Sequence, residues 1–262
     1  MNILVCETSE AAAELVAQEI LAALGRKPKL VLGLATGSTP IGVYARLVHA
    51  HREQRVDLSG VRTFNLDEYV GLPEDHPQSY RSFMQEHLFQ GIELAGQIHF
   101  PPSDGPQLRR RCSDYEQAIR DAGGIDIQLL GIGTNGHIGF NEPTSSLASR
   151  TRLKTLTEKT LRDNARFYGP DEEQPQVAAT MGVGTILEAK RILLQSFGRR
   201  KAEAVRAAVE GAISSFWPAS ALQLHPDVTL YLDPESASLL TMGDYYRRAQ
   251  ENQQDLEERG LL

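Results

Sequence analysis

The chain has 262 residues, 41% apolar and 23% charged, enough for a sizeable core in one large α/β domain or two small ones. Its formal net charge of −7 argues against general nucleic-acid binding, which calls for a basic face, and no apolar run approaches the ~20 residues needed to span a bilayer. The start, Met1-Asn2-Ile3-Leu4-Val5-Cys6, lacks the basic segment and apolar core of a signal peptide, and Cys6 and Cys112 suit a reducing compartment, so a cytoplasmic location is expected.

Ile3 to Cys6 reads as a first strand, and Ser9 as the cap of a helix running to about Leu24, with Gly25 as its stop. Leu30 to Ala35 is continuously apolar, as in a parallel strand covered on both faces. It runs into Thr36-Gly37-Ser38-Thr39-Pro40 and a helix carrying Ile41, Tyr44, Leu47 and Val48, with Pro40 suited to the first helical position. A glycine-and-hydroxyl turn between strand and helix suits an anion, because free N–H groups and the helix dipole point the same way. The glycine spacing is not that of a Walker loop and no lysine follows Gly37, so a sugar phosphate is favoured over a nucleotide. An ordinary connection is the alternative at this point.

Val61 to Leu66 reads as a third strand that ends in Asp67-Glu68-Tyr69. Successive residues of an extended chain point to opposite faces, so one carboxylate would face a crevice and the other would support it. A loop from Gly71 to Pro77 leads to a helix at about Ser79 to Leu88, and a further helix spans roughly Gln107 to Asp121, with Leu108, Cys112, Tyr115 and Ile119 at helical spacing.

The apolar run Ile125 to Leu130 then leads into Gly131-Ile132-Gly133-Thr134-Asn135-Gly136-His137-Ile138-Gly139-Phe140-Asn141-Glu142-Pro143. Its glycines allow sharp turns and close approach to a ligand, and the loop carries an amide, an imidazole and a carboxylate. In an open α/β sheet it would sit in the crevice beyond the carboxyl ends of the strands, where ligands bind. The polar region Thr144 to Pro175 reads as irregular, with a short helix from Glu158 to Phe167 and a loop from Gly169 to Pro175. A mobile lid at about residues 155–180 is a natural use for it.

Arg191 to Phe197 restores the strand pattern, followed by a helix with Lys201 in its first turn and Gly211 as its stop. A helix near Pro218 to Leu222, a strand at Val228 to Leu232 and a C-terminal helix from about Thr241 complete the chain. The alternation predicts a single α/β domain over 1–262, an open, mostly parallel, Rossmann-like sheet with helices on both faces. No metal site emerges: His49 and His51 are two apart on a helix, and neither cysteine neighbours another. Ser38 lacks the setting of a nucleophile elbow.

Thr36 to Pro40, Phe64-Asn65-Leu66-Asp67-Glu68-Tyr69-Val70-Gly71-Leu72-Pro73 and Asn135 to Pro143, taken together, resemble the glucosamine-6-phosphate deaminase family. The likeness continues through Ser145 to Arg152, Gly182-Val183-Gly184-Thr185 and Leu222-Gln223-Leu224-His225-Pro226, in the family's order along essentially the whole chain. It implies conversion of glucosamine 6-phosphate and water to fructose 6-phosphate and ammonia without a cofactor. On the same match His137 opens the sugar ring, oriented by Glu142 and Asn135, and Asp67 is the base that carries the C2 proton to C1. Thr36, Gly37, Ser38, Arg166 and Lys201 hold the phosphate. Where some members carry aspartate, this chain has Asn135.

Some members are hexamers activated by N-acetylglucosamine 6-phosphate, and others are smaller and unregulated. Ser145, Ser146, Arg152 and Lys154 resemble the effector-phosphate site, with Tyr246 or its neighbour Tyr245 as its tyrosine, so a homo-oligomer, hexamer favoured, and effector binding are expected. The rivals are a 6-phosphogluconolactonase, which leaves the Glu142 carboxylate without a use, and a sugar-phosphate-sensing domain, which needs no general base.

Overall fold

The computed structural model describes residues 1–92, 94, 98–165, 168–169 and 172–261, with the side chains at 254, 257 and 258 excepted. Its first half contains β1 (Asn2–Val5), α1 (Ser9–Arg26), β2 (Val31–Leu34), α2 (Ile41–Arg52), β3 (Arg62–Asn65), β4 (Asp67–Tyr69), α3 (Tyr80–His87), β5 (Ile98–His99) and α4 (Leu108–Asp121). There follow β6 (Ile127–Leu130), β7 (Arg152–Thr155), α5 (Glu158–Asn164), β8 (Val177–Thr180), α6 (Val183–Leu187), β9 (Arg191–Ser196), α7 (Ala202–Val209), β10 (Val228–Leu232) and α8 (Gly243–Glu258).

Seven strands form a parallel sheet in the order β1-β10-β9-β6-β2-β3-β5. From β2 the chain steps outward to β3 and β5; from β6 it steps the other way to β9 and β10. The switch between β2 and β6 opens a crevice at the carboxyl ends of the strands. The turn 36–38, the Asp67 segment, the 131–142 loop and Lys201 all follow strands of this central group.

Both faces are covered, as the fully buried strands β2, β6 and β10 require. Leu129, Leu193 and Tyr231 pack with α1 and α2 residues such as Val16, Ile20, Tyr44 and Leu47. Their strand neighbours Leu130, Leu194 and Leu230 pack on the other face with Tyr115, Ile119, Val205 and Leu222. Among the described residues no helix is long and apolar enough to cross a membrane.

A second sheet, which the sequence reading did not foresee, contains β4, β8 and β7 in antiparallel order. The third strand therefore does not run on through Asp67. At Leu66 the chain bends: its N–H donates to Leu34 O in the large sheet (2.9 Å), and its carbonyl accepts from Met181 N at the end of β8 (2.7 Å). The polar stretch read as irregular contributes β7, whose alternating Arg-Leu-Lys-Thr is only half-buried. The expected lid segment, 155–180, contains the end of β7, α5 and β8.

Element ends shift slightly. Thr8, not Ser9, caps α1, which continues through Gly25 to Arg26. Pro40 stands one place before α2, with Val43 and Tyr44 N–H donating to its carbonyl. Lys201 ends a short 3-10 turn, Arg199–Lys201, rather than lying inside α7.

Candidate active site

The loop after β6 folds back on itself. Gly133 N donates to His137 O (2.8 Å), and Ile138 bridges Asn141 in antiparallel fashion. Gly133 is required by close packing, because a Cβ there would stand 2.3 Å from Cε1 of the His137 ring. His137 Nδ1 lies 3.6 Å from Glu142 Oε2, with the histidine one-fifth exposed and the glutamate buried.

Asn135 braces this pair from behind. Its Nδ2 donates to Glu142 Oε2 (2.8 Å), and its Oδ1 accepts the backbone N–H of His137 (3.2 Å). Thr157, the cap of α5, adds N–H and hydroxyl bonds to the same carboxylate (3.3 and 3.2 Å). Burial alone would raise the pKa of Glu142. The His137 imidazole, with Thr160 and Asn135, outweighs that and holds it at about 2. Glu142 is thus a fixed anion beside the imidazole.

Asp67 reaches the same rim from β4. Its Oδ2 lies 3.3 Å from where a Cβ on Gly139 would stand, and Gly139 is two residues beyond His137. Tyr69, Phe140, Leu156 and Ala178 form a buried apolar cluster at this end of the second sheet. Burial, and then the charge of Glu68, push Asp67 up to about 8, against the Phe140 N–H. Glu68 points elsewhere, accepting N–H bonds from Tyr69, Tyr80 and Arg81, each 2.9 Å, at the start of α3. One carboxylate faces the crevice and its neighbour anchors a helix, as strand alternation predicts.

The turn after β2 presents Gly37 at φ 102°, and no side chain caps α2 behind it. Gly37 and Ser38 are exposed, accessible to an anion, while half-buried Thr36 has its side chain against Tyr80. Lys201 Nζ donates to Ile132 O (2.7 Å), which brings its ammonium to the start of the histidine loop. Arg166, expected to close over the phosphate, lies outside the described residues.

Of the residues expected at an effector site, Ser145 and Ser146 follow the histidine loop, while Arg152 and Lys154 share one face of β7. Ser145 is buried, and Ser146 Oγ accepts from Ala148 N (3.3 Å). A cavity of about 310 Å³ is lined by Arg109, Cys112, Thr151, Arg152 and Leu153, so that of this group only Arg152 borders it. Tyr246 is not brought to this group by any hydrogen bond among the described residues; its hydroxyl donates to Glu210 Oε1 (3.1 Å), and Tyr245 packs edge-on against it.

Three further residues contribute to the site. Thr180 Oγ1 accepts from Phe140 N (3.1 Å) and sits beside Gly139. Thr157 supports Glu142 from a segment read as lid; the pattern Thr157-x-x-Thr160 was its one legible signal, as a helix cap. Asn141 ties the loop to β8 and belonged to a recognised motif without a role.

An exposed glycine-and-hydroxyl turn, a raised carboxylate and an imidazole over a buried anion, carried by neighbouring strand ends of a parallel sheet, fit an α/β enzyme. The family model for glucosamine-6-phosphate isomerases/6-phosphogluconolactonase matches residues 6–231, and the chain belongs to that family. A glucosamine-6-phosphate deaminase of Hahella chejuensis is 53% identical over 251 residues, 95% of this chain and 96% of that one. The deaminase of Shewanella loihica is 53% identical over 260 residues, 99% of this chain and 97% of its own. A solved monomeric glucosamine-6-phosphate deaminase superposes with a TM-score of 0.88 at 46% identity, covering 91% of this chain and 100% of its own. The 6-phosphogluconolactonase of Trypanosoma brucei shares the fold with a TM-score of 0.72 at 21% identity, over 92% of this chain and 98% of that one.

Proposed function

We propose that the protein converts glucosamine 6-phosphate and water to fructose 6-phosphate and ammonia, an aldose–ketose isomerisation with hydrolysis of a C–N bond. The observation that carries this reading is the meeting of Asp67 and the His137 loop at Gly139. Two groups pushed to opposite ends of the carboxylate range, Asp67 at about 8 and Glu142 at about 2, mark separate acid–base tasks. His137, backed by Glu142, exchanges a proton between the anomeric hydroxyl and the ring oxygen, opening the pyranose. Asp67 removes the C2 proton while the C1 carbonyl oxygen is protonated, giving an enolamine. It returns the proton to C1, leaving an imine at C2 to which water adds and from which ammonia departs.

A base at about 8 is mostly protonated at neutral pH in the free protein. The C2 ammonium of the substrate, bound within a few ångströms, favours the carboxylate and activates its own base. Thr36, Gly37, Ser38, Lys201 and Arg166 hold the phosphate on this reading. Charged hydrogen bonds of this kind are worth about 1.5–3 kcal/mol each and align C1 and C2 without touching them.

The finer expectations belong to the same proposal: a single domain, a cytoplasmic location, a closing segment around 155–180, and a homo-oligomer activated by N-acetylglucosamine 6-phosphate at Ser145, Ser146, Arg152 and Lys154. The half-buried Arg152 beside a cavity supports an effector phosphate there. Tyr246, hydrogen-bonded to Glu210 in this chain, supports it less. The monomeric relative favours a smaller assembly. The test is release of ammonia and formation of fructose 6-phosphate from glucosamine 6-phosphate, with and without N-acetylglucosamine 6-phosphate. Ammonia in step with fructose 6-phosphate is expected. No ammonia, with hydrolysis of 6-phosphogluconolactone instead, would overturn it.

A further inference from the structure

We propose that Asn141 and Arg152 form a positioning pair that holds the two proton-transferring side chains, Asp67 and His137, in register; the inference rests on the reading of the site given above. Asn141 is fully buried, so it does not meet substrate itself. Its Nδ2 donates to Ile138 O and to Met181 O, both at 2.8 Å. Ile138 is the residue after His137. Met181 N donates in turn to Leu66 O at 2.7 Å, and Leu66 is the residue before Asp67. One amide nitrogen therefore joins the backbone neighbour of His137 to Met181, which in turn holds the backbone neighbour of Asp67, a residue from a distant part of the chain.

That clamp works only with the amide turned one way. Both N–H groups are committed to carbonyls, so the oxygen must find a donor, and Arg152 Nη1 supplies it at 2.8 Å. A guanidinium only donates and cannot accept, so it admits Asn141 in a single orientation. Arg152 is well placed to act as a brace: in the second sheet it pairs with Thr180, the residue before Met181, and Thr180 Oγ1 also accepts from Phe140 N at 3.1 Å. Loss of the guanidinium would leave a buried carbonyl oxygen unpaired and free the amide to turn. The Asp67 to His137 geometry would then relax, while the turn at 36–38 is carried by a different strand, β2.

The experiment compares Arg152→Met, which keeps the apolar stem and removes the donor, with Arg152→Lys, which keeps a donor. Asn141→Ser, too short to reach both carbonyls, is the second site. Ammonia release is measured without N-acetylglucosamine 6-phosphate, so that any effector role of Arg152 does not enter. Arg152→Met and Asn141→Ser are expected to lower kcat about tenfold to a hundredfold per folded molecule, the effect of a displacement of about 1 Å at a reacting centre. KM should change less than about twofold, because the phosphate contacts are intact. Arg152→Lys should recover most of the lost kcat. Wild-type kcat in either Arg152→Met or Asn141→Ser would overturn the inference, as would a loss confined to KM or an Arg152→Lys variant as slow as Arg152→Met. Failure of the wild-type protein to release ammonia in the same assay would instead remove the reading of the site.

Discussion

Glu142 Oε2 lies 2.8 Å from Asn135 Nδ2 and 3.6 Å from His137 Nδ1, so the asparagine binds the carboxylate, and through it the charge that faces the imidazole. Asn135 also accepts the backbone N–H of His137. Asn135→Asp would place a second carboxylate at hydrogen-bond distance from the first. Like charges so close cannot both ionise freely, so the second carboxylate competes with Glu142 for the proton-free state. The pH–rate profile is expected to shift, with activity still measurable. An unmoved profile would take Asn135 out of the histidine's electrostatic surroundings.

Asp67 titrates at about 8 in the free protein because it is buried beside Glu68. The profile of kcat/KM, which reports the free enzyme, should therefore show an acidic limb near that value, and the profile of kcat a lower one, because the bound ammonium favours the carboxylate. The folded pKa lies above the unfolded one, so the native state binds the extra proton and stability falls as pH rises through the interval from 3.8 to about 8. Asp67→Asn removes that loss. It is expected to cost about 10²–10⁴ in kcat while retaining substrate. Its melting temperature at pH 8 should exceed that of the wild type by several degrees, with little difference at pH 4. Brisk turnover by Asp67→Asn would assign the base elsewhere.

Glu142 runs the other way. Its folded pKa of about 2 lies below the ordinary 4.5, so its contribution is present above about 4.5 and is lost as pH falls toward 2. Glu142→Gln should flatten thermal stability over that acidic window and leave an imidazole without its counter-ion. A loss of about tenfold or more in kcat at neutral pH is expected. Differential scanning calorimetry from pH 2 to 7 checks the first statement and steady-state kinetics the second.

Gly133→Ala is the sharpest steric test of the histidine's place. A Cβ there would stand 2.3 Å from the imidazole, and the residue is not among those with positive φ, so backbone strain does not confuse the result. The ring must swing away. A fall of about a hundredfold in kcat is expected, with a stability cost of about 1–3 kcal/mol from overpacking. Wild-type kcat in that variant would mean that the ring position does not matter.

Lys201→Gln tests the other end of the substrate. Loss of one charged hydrogen bond to phosphate is worth about 1.5–3 kcal/mol, which corresponds to a rise in KM of about ten- to a hundredfold. Because Lys201 also bonds Ile132 O, kcat should fall as well, but less than KM rises. Inorganic phosphate should compete with substrate in the wild type and lose that effect in Lys201→Gln.

The alternation of apolar strands and amphipathic helices made the parallel sheet legible, because burial on both faces leaves a local mark: Leu30 to Ala35 and Ile125 to Leu130 could be read alone. The glycines at 131, 133, 136 and 139 marked the loop that carries His137 for a similar reason, since backbone freedom is written in residue type. The second sheet was not legible. Its strands are short, and their pairing, Asp67 with Thr180 and Arg152 with Thr180, joins residues far apart in the chain. Nothing local in Val177-Ala178-Ala179-Thr180 states which partner it will meet.

By itself, then, the amino-acid sequence determined the parallel sheet, the glycine-and-hydroxyl turn at 36–38, the acidic pair at 67 and 68 and the histidine loop, all set by hydrophobic periodicity, backbone permissiveness and charge within a few residues. Only the tertiary structure decided how they act together. Leu66 turns Asp67 out of the large sheet, Asn141 and Met181 tie it to the His137 loop, and burial then pushes Asp67 up while Asn135 and Thr157 hold Glu142 as an anion. Those outcomes depend on distances between segments and on water excluded from between them, and neither quantity exists until the chain has folded.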